Sequence, residues 1–310
     1  MNLHKCKECG EEFKSDKALH GHLRKHKITT EEYYLKHFPR FDLHTHAPIK
    51  FKTVKQYLSS DFNSNANFRR WCASENPEAV KNYLVENMAA KNKEKGRVSV
   101  IGEAQMISYG WPSVSQIEKL FGSYKDFCDR LDLPPQFGFP MTKNFNKDYS
   151  DVEIWVDTRE QKPLNFMNPT KDIKLDCGDY AVGGENFSDT FVDRKSAADF
   201  IATVTRGLDR FKKEMDRCCS LGAYMFIVVD ASMAGVAKEL QFSRSHVTIQ
   251  HVWHNMREIM DEYNGDCQFV FSGGRAESAL LVPKILMCGK DLWRTDVQYH
   301  INNNDKWLGK

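Results

Sequence analysis

Val156-Asp157-Thr158-Arg159-Glu160, Cys177-Gly178-Asp179-Tyr180 and Val192-Asp193-Arg194-Lys195-Ser196 are the three segments on which the reading of this chain turns. Strand side chains alternate with period two, so Asp193 and Lys195 point to one side of their strand while Val192 and Arg194 point to the other. Asp157 at a strand end and Asp179 in a glycine turn bring further carboxylates from separate segments. Hydrolysis of a phosphodiester with Mg²⁺ or Mn²⁺ needs hard oxygen ligands and a cation near the attacking water or the scissile phosphate. An acidic residue two positions before a lysine supplies both on one face.

Working outward, short β-branched or aromatic runs at Glu153–Asp157, Thr190–Lys195, Tyr224–Asp230 and Gln268–Ser272 read as strands. Helical stretches lie between them: Ser196 to about Ser220 with a break at Gly207, His246–Tyr263, and Ala276–Met287. The pattern predicts an α/β layer with a buried central strand at 224–230.

The three segments resemble the XPF-type nucleases of the PD-(D/E)xK superfamily, whose pattern is a V-D-x-R-E strand, a G-D turn, and E-R-K followed three residues later by Asp. Here the last stretch reads D-R-K-S-A-A-D, ending at Asp199. The resemblance covers roughly residues 152–288. It implies a restriction-endonuclease-like mixed sheet flanked by helices, metal binding (Mg²⁺ or Mn²⁺) by Asp157, Asp179 and Asp193, a catalytic role for Lys195, and supporting roles for Arg159, Glu160 and Arg194. It also implies a DNA endonuclease acting on branched, flap or junction DNA, as in repair or recombination. Asp193 stands where the family has the longer Glu. The tandem helix-hairpin-helix domain that often follows such a core is not seen after it, which shifts substrate recognition to the front half. Each residue has a plainer reading: Asp199 as a helix-capping partner of Ser196, Arg159 and Arg194 as ion-pair partners of Glu160 and Asp193, Cys177 as packing.

Cys6, Cys9, His22 and His26 stand in the spacing C-x2-C-x12-H-x3-H, with Phe13 and Leu19 at the two core positions of a ββα finger. Four ligands and two core residues at matching offsets predict a structural Zn²⁺ and a unit that folds with its metal. The three helix positions that usually touch bases hold Ser15, Ala18 and Gly21, which lack the reach of Arg, Asn or Gln. Lys5, Lys14, Lys17, Arg24, Lys25 and Lys27 fit non-specific phosphate contact better than base reading, with protein contact as the alternative.

The expected domains are a zinc finger at 1–27, a polar, mainly helical DNA-binding module at 28–133, a linker at 134–150 and the nuclease domain at 151–310. Ser113 is a predicted N-cap after the break at Gly110-Trp111-Pro112, and 111–133 weakly resembles the DNA-binding repeats of some phage and homing endonucleases. Asp42-Leu43-His44-Thr45-His46 looks like the first metal motif of PHP-type phosphoesterases, but the further His-rich motifs are missing and no second hydrolytic site is expected. Residues 1–150 hold 24 Lys/Arg against 18 Asp/Glu, and residues 151–310 hold 20 against 24, which suits a basic DNA arm on a carboxylate-bearing body. With neither a signal peptide nor an apolar run long enough for a membrane, the expected setting is cytoplasmic or nuclear, a phage-encoded protein in its host included. DNA is the expected partner, with a homodimer through the nuclease domain left open. A sequence-directed or homing-type endonuclease and a non-catalytic zinc-finger DNA- or protein-binding protein are the rival readings.

Overall fold

A computed structural model of the chain describes residues 4–242 and 247–304. By contacts it divides into two units, Met1–Val80 and Lys81–Lys310.

In the first unit, β1 (His4–Lys5) pairs antiparallel with β2 (Glu12–Phe13) and α1 (Asp16–His22) follows. Three further helices come next: α2 (Thr30–His37), α3 (Val54–Ser59) and α4 (Asn65–Ser74). The sequence signals their starts. Thr29 and Glu32 form a capping box, and the Thr53 and Ser64 hydroxyls accept from backbone N–H groups three residues on. The finger has no private core: Cys6, Leu19 and Leu23 are buried together with Tyr33, Tyr34, Ile49 and Tyr57. Expecting the first 27 residues to fold alone missed this, because two apolar finger positions are too few to cover the rings of α2.

Asp42, the acidic residue of the apparent phosphoesterase motif, is a loop hub. Fully buried, it accepts from His44 N, Thr45 N, Asn63 N and Asn67 Nδ2 at 2.7–2.9 Å. Burial opposes its charge, but these four donors outweigh it and bring its pKa down to about 2. A depressed carboxylate adds stability above its unfolded pKa, lost as the pH falls through the folded one. Asp42→Ala is therefore expected to lower the unfolding free energy of this unit by about 3 kcal/mol at neutral pH, with the difference shrinking below about pH 4. Urea titrations at the two pH values measure it.

α5 (Pro77–Lys95) contains the division between the units. In the second unit, α6 (Glu103–Tyr109), α7 (Val114–Phe121) and α8 (Tyr124–Arg130) form the predicted helical stretch, with Gly110 left-handed after α6 and Ser113 in a capping box with Gln116. The 134–150 stretch, expected as a linker, is packed instead: Phe145 is fully buried in a core of the sheet, and Phe139 N donates to Arg294 O.

The sheet has the order β4-β3-β5-β6-β7-β8, with β3 (Ile154–Asp157), β4 (Thr170–Ile173), β5 (Tyr180–Val182), β6 (Thr190–Lys195), β7 (Tyr224–Val229) and β8 (Cys267–Phe271). It is mixed: β5 is antiparallel to both neighbours, and the other pairs are parallel. Helices α9 (Ala197–Thr203), α10 (Leu208–Ser220), α11 (Met233–Phe242) and α12 (Ile249–Glu262) contribute to the core on one face, and α13 (Arg275–Cys288) to the core on the other, with α14 (Val297–Asn303) closing the described chain. The predicted start of the α12 helix at His246 lies outside the described residues. β7 is buried along its whole length, with Met225, Ile227 and Val229 in the first core and Tyr224, Phe226 and Val228 in the second. Both faces being covered explains its unbroken apolar run. Arg97 donates twice to Asp261 of α12, at 2.9 and 2.8 Å, and the Arg257 guanidinium lies 4.0 Å from the Tyr109 ring centre. No helix among the described residues is long and apolar enough to cross a membrane.

Candidate active site

The register of three adjacent strands sets the site. Val156 pairs with Tyr180, and Tyr180 with Val192. Continuing the β3–β5 ladder by one residue places Asp157 beside Asp179, as the 2.8 Å bond Asp157 N→Asp179 O bears out, and Asp179 N donates to Val192 O at 2.8 Å, which brings the turn against the strand next to Asp193. Alternation then puts all three carboxylates and Lys195 on the α9–α10 face, because their neighbours Trp155, Ala181 and Phe191 pack there. Gly178 makes the turn possible. Its φ is +68°, and a Cβ there would sit 2.9 Å from Val192 O.

The three aspartates differ in what holds them. Asp157 is almost fully buried, and both its oxygens are engaged: Oδ1 accepts from Arg159 N and Nε (2.7 and 2.6 Å), Oδ2 from Arg159 Nη2 and Leu175 N (2.9 and 2.8 Å). Burial opposes its charge, yet the Arg159 guanidinium and these amides hold its pKa below the usual range. Asp179 Oδ2 accepts from Arg194 N at 2.8 Å. Burial and the neighbouring Asp193 charge push Asp179 well above the usual carboxylate range. Asp193 is 1% exposed; its Oδ1 pairs with Lys195 Nζ, and its Oδ2 has no hydrogen-bond partner among the described residues. Although burial disfavours its charge, Asp193 and Asp179 hold the Lys195 ammonium above the ordinary lysine pKa.

The supporting residues take other partners than expected. Arg159 pairs with Asp157, not Glu160. Arg194 points away from Asp193, as alternation requires, and donates to Asp230 Oδ2 at 2.8 Å, with Glu160 Oε1 at 4.0 Å. Asp230 also accepts from Ser278 Oγ at 2.5 Å and lies 3.6 Å from Arg275 Nη1. Glu160 Oε1 accepts from Lys162 N. Ser196 caps α9, and its hydroxyl donates to Asp199 Oδ2 at 2.8 Å. Cys177 is fully buried in the core.

Asp179, Arg194 and Lys195 open onto a cleft of about 770 Å³ whose walls include Arg159, Glu160, Lys162, Asp199, Arg206, Arg210 and Glu214. Asp230, Arg206, Arg210 and Glu214 were not singled out from the sequence. Glu214 is one acid in the amphipathic helix LDRFKKEMDRCCS, where nothing local sets it apart.

At the finger, Cys6 Sγ lies 3.7 Å from His26 Nε2, Cys9 Sγ 3.3 Å from His22 Nε2, and the two Nε2 atoms 2.9 Å apart. Tetrahedral zinc with bonds of about 2.3 Å to sulfur and about 2.0 Å to nitrogen sets sulfur–nitrogen edges of about 3.5 Å, so the donor set fits. Among the described residues it is the one group of three or more Cys, His, Asp or Glu ligand atoms lying within 4.8 Å of one another. Ser15 is the N-cap of α1, its hydroxyl accepting from Ala18 N, which leaves that acceptor already engaged at a base-reading position.

A family profile described as a C2H2-type zinc finger matches residues 3–29. No curated protein matches the chain. Among solved structures, the chain is similar to XPF from Aeropyrum pernix, with 19% identity over 44% of this chain and 63% of that one, at a TM-score of 0.34. The same protein in complex with DNA gives 19% identity, the same coverage and a TM-score of 0.33. The chain thus spans less than two thirds of those chains.

Proposed function

We propose that the second unit is a divalent-metal-dependent DNA endonuclease and that the basic front of the chain helps to hold its substrate. The observation that carries this is Asp193. Its Oδ2 is buried without a donor among the described residues, near Asp179 and two positions from a buried lysine on the same face. A buried unpaired carboxylate oxygen is costly unless a cation uses it, and an all-oxygen donor set suits Mg²⁺ or Mn²⁺.

In this reading Asp179 and Asp193 hold the cation. Bound there, it supplies positive charge against the phosphate oxygens and acidifies a water for attack on phosphorus. Lys195 keeps its proton on Nζ and acts as a fixed charge next to the reacting phosphate rather than as a base. Asp157 orients Arg159, whose guanidinium faces the cleft. Arg206 and Arg210, both exposed, line the same cleft and suit backbone phosphates. On the finger, Lys14, Lys17, Arg24 and Lys25 are exposed and fit sequence-independent phosphate contact.

The test is a cleavage panel over flap, fork, junction and linear duplex DNA in Mg²⁺, Mn²⁺ and EDTA. Cleavage only with a divalent metal, and faster on branched than on linear DNA, is the expected outcome. Faster cleavage at one sequence in linear duplex would favour a sequence-directed enzyme, and no cleavage of any substrate would overturn the assignment.

A further inference from the structure

The end of β6 carries an arginine whose hydrogen-bonding capacity is mostly unused. Arg194 leaves the strand on the face that carries Val192 and α13, and it lines the cleft with Arg159 and Glu160. Its side chain is only 8% exposed. Nε donates to Asp230 Oδ2 at 2.8 Å, whereas Glu160 Oε1 stands 4.0 Å from Nη1, beyond hydrogen-bond reach. Neither Nη group therefore has a hydrogen-bond partner among the described residues. Asp230 holds this arginine from outside the cleft lining. It follows β7, and its N–H donates to Lys195 O at 2.8 Å. Ser278 Oγ donates to its Oδ1 at 2.5 Å, and Arg275 Nη1 lies 3.6 Å from its Oδ2. Arg275 is tied down in turn by two 2.6 Å bonds from Nη2 to Lys162 O and Pro163 O.

A nearly buried guanidinium with unused donors is costly unless an anion takes them, and its planar fork matches two oxygens of a phosphate. The cleft suits such an anion, because Arg and Lys side chains outnumber carboxylates six to four along its walls. Arg194 and Asp193 leave β6 on opposite faces, so the phosphate that Arg194 reaches is not the one that faces Asp193 and Lys195. Resting on the function proposed above, we infer that Arg194 binds a backbone phosphate flanking the scissile one and that Asp230 is the positioning residue that holds it there. Asp230 touches no DNA in this arrangement. It occupies the Nε edge of Arg194, which leaves the Nη edge for the phosphate, while Ser278 and Arg275 fix Asp230 itself.

The test uses the full chain with its finger loaded with zinc, in Mn²⁺, on the DNA of the cleavage panel that it cuts fastest, with the cut position mapped. Single methylphosphonates, each replacing one charged phosphate oxygen by a methyl group, are placed in turn at the phosphates flanking the scissile one. One position should lower the wild-type kcat/KM about tenfold, the loss expected for one charge-assisted hydrogen bond. Arg194→Gln and Asp230→Asn should lose a comparable amount on unmodified DNA. The methylphosphonate at that position should then cost them less than about twofold more, because the contact it removes is already gone. If Asp230→Asn loses its thermal transition, Ser278→Ala, which removes only a donor to Asp230, should show the same non-additivity in smaller measure. A wild type indifferent to every flanking methylphosphonate overturns the inference. So does an equal methylphosphonate loss in wild type and variants, because Arg194 and Asp230 would then serve the fold alone. Non-additivity in Arg194→Gln but not in Asp230→Asn overturns the positioning role. A wild-type chain that cuts no unmodified DNA in Mn²⁺ overturns the proposed function and this phosphate site with it.

Discussion

Asp179→Asn in the full chain is expected to reduce metal-dependent cleavage on the order of 10³-fold while raising the thermal stability of the second unit. The two effects have one cause. Asp179 lies under Arg194 N and beside Asp193 in a buried row, and burial with that like charge opposes its ionised form. Asparagine keeps an acceptor for Arg194 N and removes the repulsion. It also removes a charged ligand that works chiefly in the transition state, where about 4 kcal/mol corresponds to the expected loss. A group with a raised folded pKa adds stability that is complete below its unfolded pKa and is lost as the pH rises through the folded one. Without divalent metal, the wild-type unfolding midpoint should therefore fall between the ordinary carboxylate range and the raised pKa of Asp179. The variant should lack that slope. Cleavage rates in Mn²⁺ and calorimetric midpoints in EDTA over a pH series measure both; retained turnover, or a variant less stable than wild type throughout, would sink the assignment of Asp179. DNA affinity in EDTA should stay within about twofold, because phosphate contacts and not this carboxylate supply it.

The parts of this fold that were legible in the sequence are those whose pattern is local. YMFIVV is buried on both faces, so its burial is written in every residue, and D-R-K fixes by parity alone which side chains share a face. β4 and β5 left no such mark. Thr170–Ile173 is a mostly exposed edge strand of sequence TKDI, and Tyr180–Val182 is three residues long. The order of the site follows from the β3–β5–β6 register, which depends on the short β5. The helices of residues 30–74 were legible only through their caps, such as Thr29 with Glu32, because their apolar residues are aromatic rings spaced among charges. Glu214 and Asp230 were hidden for another reason: each joins the site through tertiary packing alone. A side chain at 214 lines the same cleft as Asp179 and Lys195 because α10 lies on the sheet, and no spacing within the helix encodes that.

Removing zinc should unfold far more than the 27 residues of the finger. In the first unit Leu19 and Leu23 are buried with Tyr33, Tyr34, Ile49 and Tyr57, and the finger ligand Cys6 belongs to the same core. Tyr33 Oη accepts from Lys7 N at 2.9 Å, and His20 Nε2 lies 3.2 Å from Tyr34 Oη, so α2 is bonded to both halves of the finger. Zinc contributes about 10 kcal/mol to the folding of an isolated finger, comparable to the whole stability of a small domain. Once the ligands separate, the rings of α2 lose their cover, and each large side chain returned to water costs about 2 kcal/mol. Chelation should therefore remove hydrogen-exchange protection from α1 through α3, including Leu19, Tyr33 and Tyr57, in one step. The strands β6, β7 and β8 should keep theirs, because their two cores contain no residue of the finger. Protection lost in residues 4–27 but kept in α2 and α3 would mean that the shared core stands without the metal. Cys6→Ser should reproduce the chelated pattern at any zinc concentration, since it removes both a ligand and a buried member of that core.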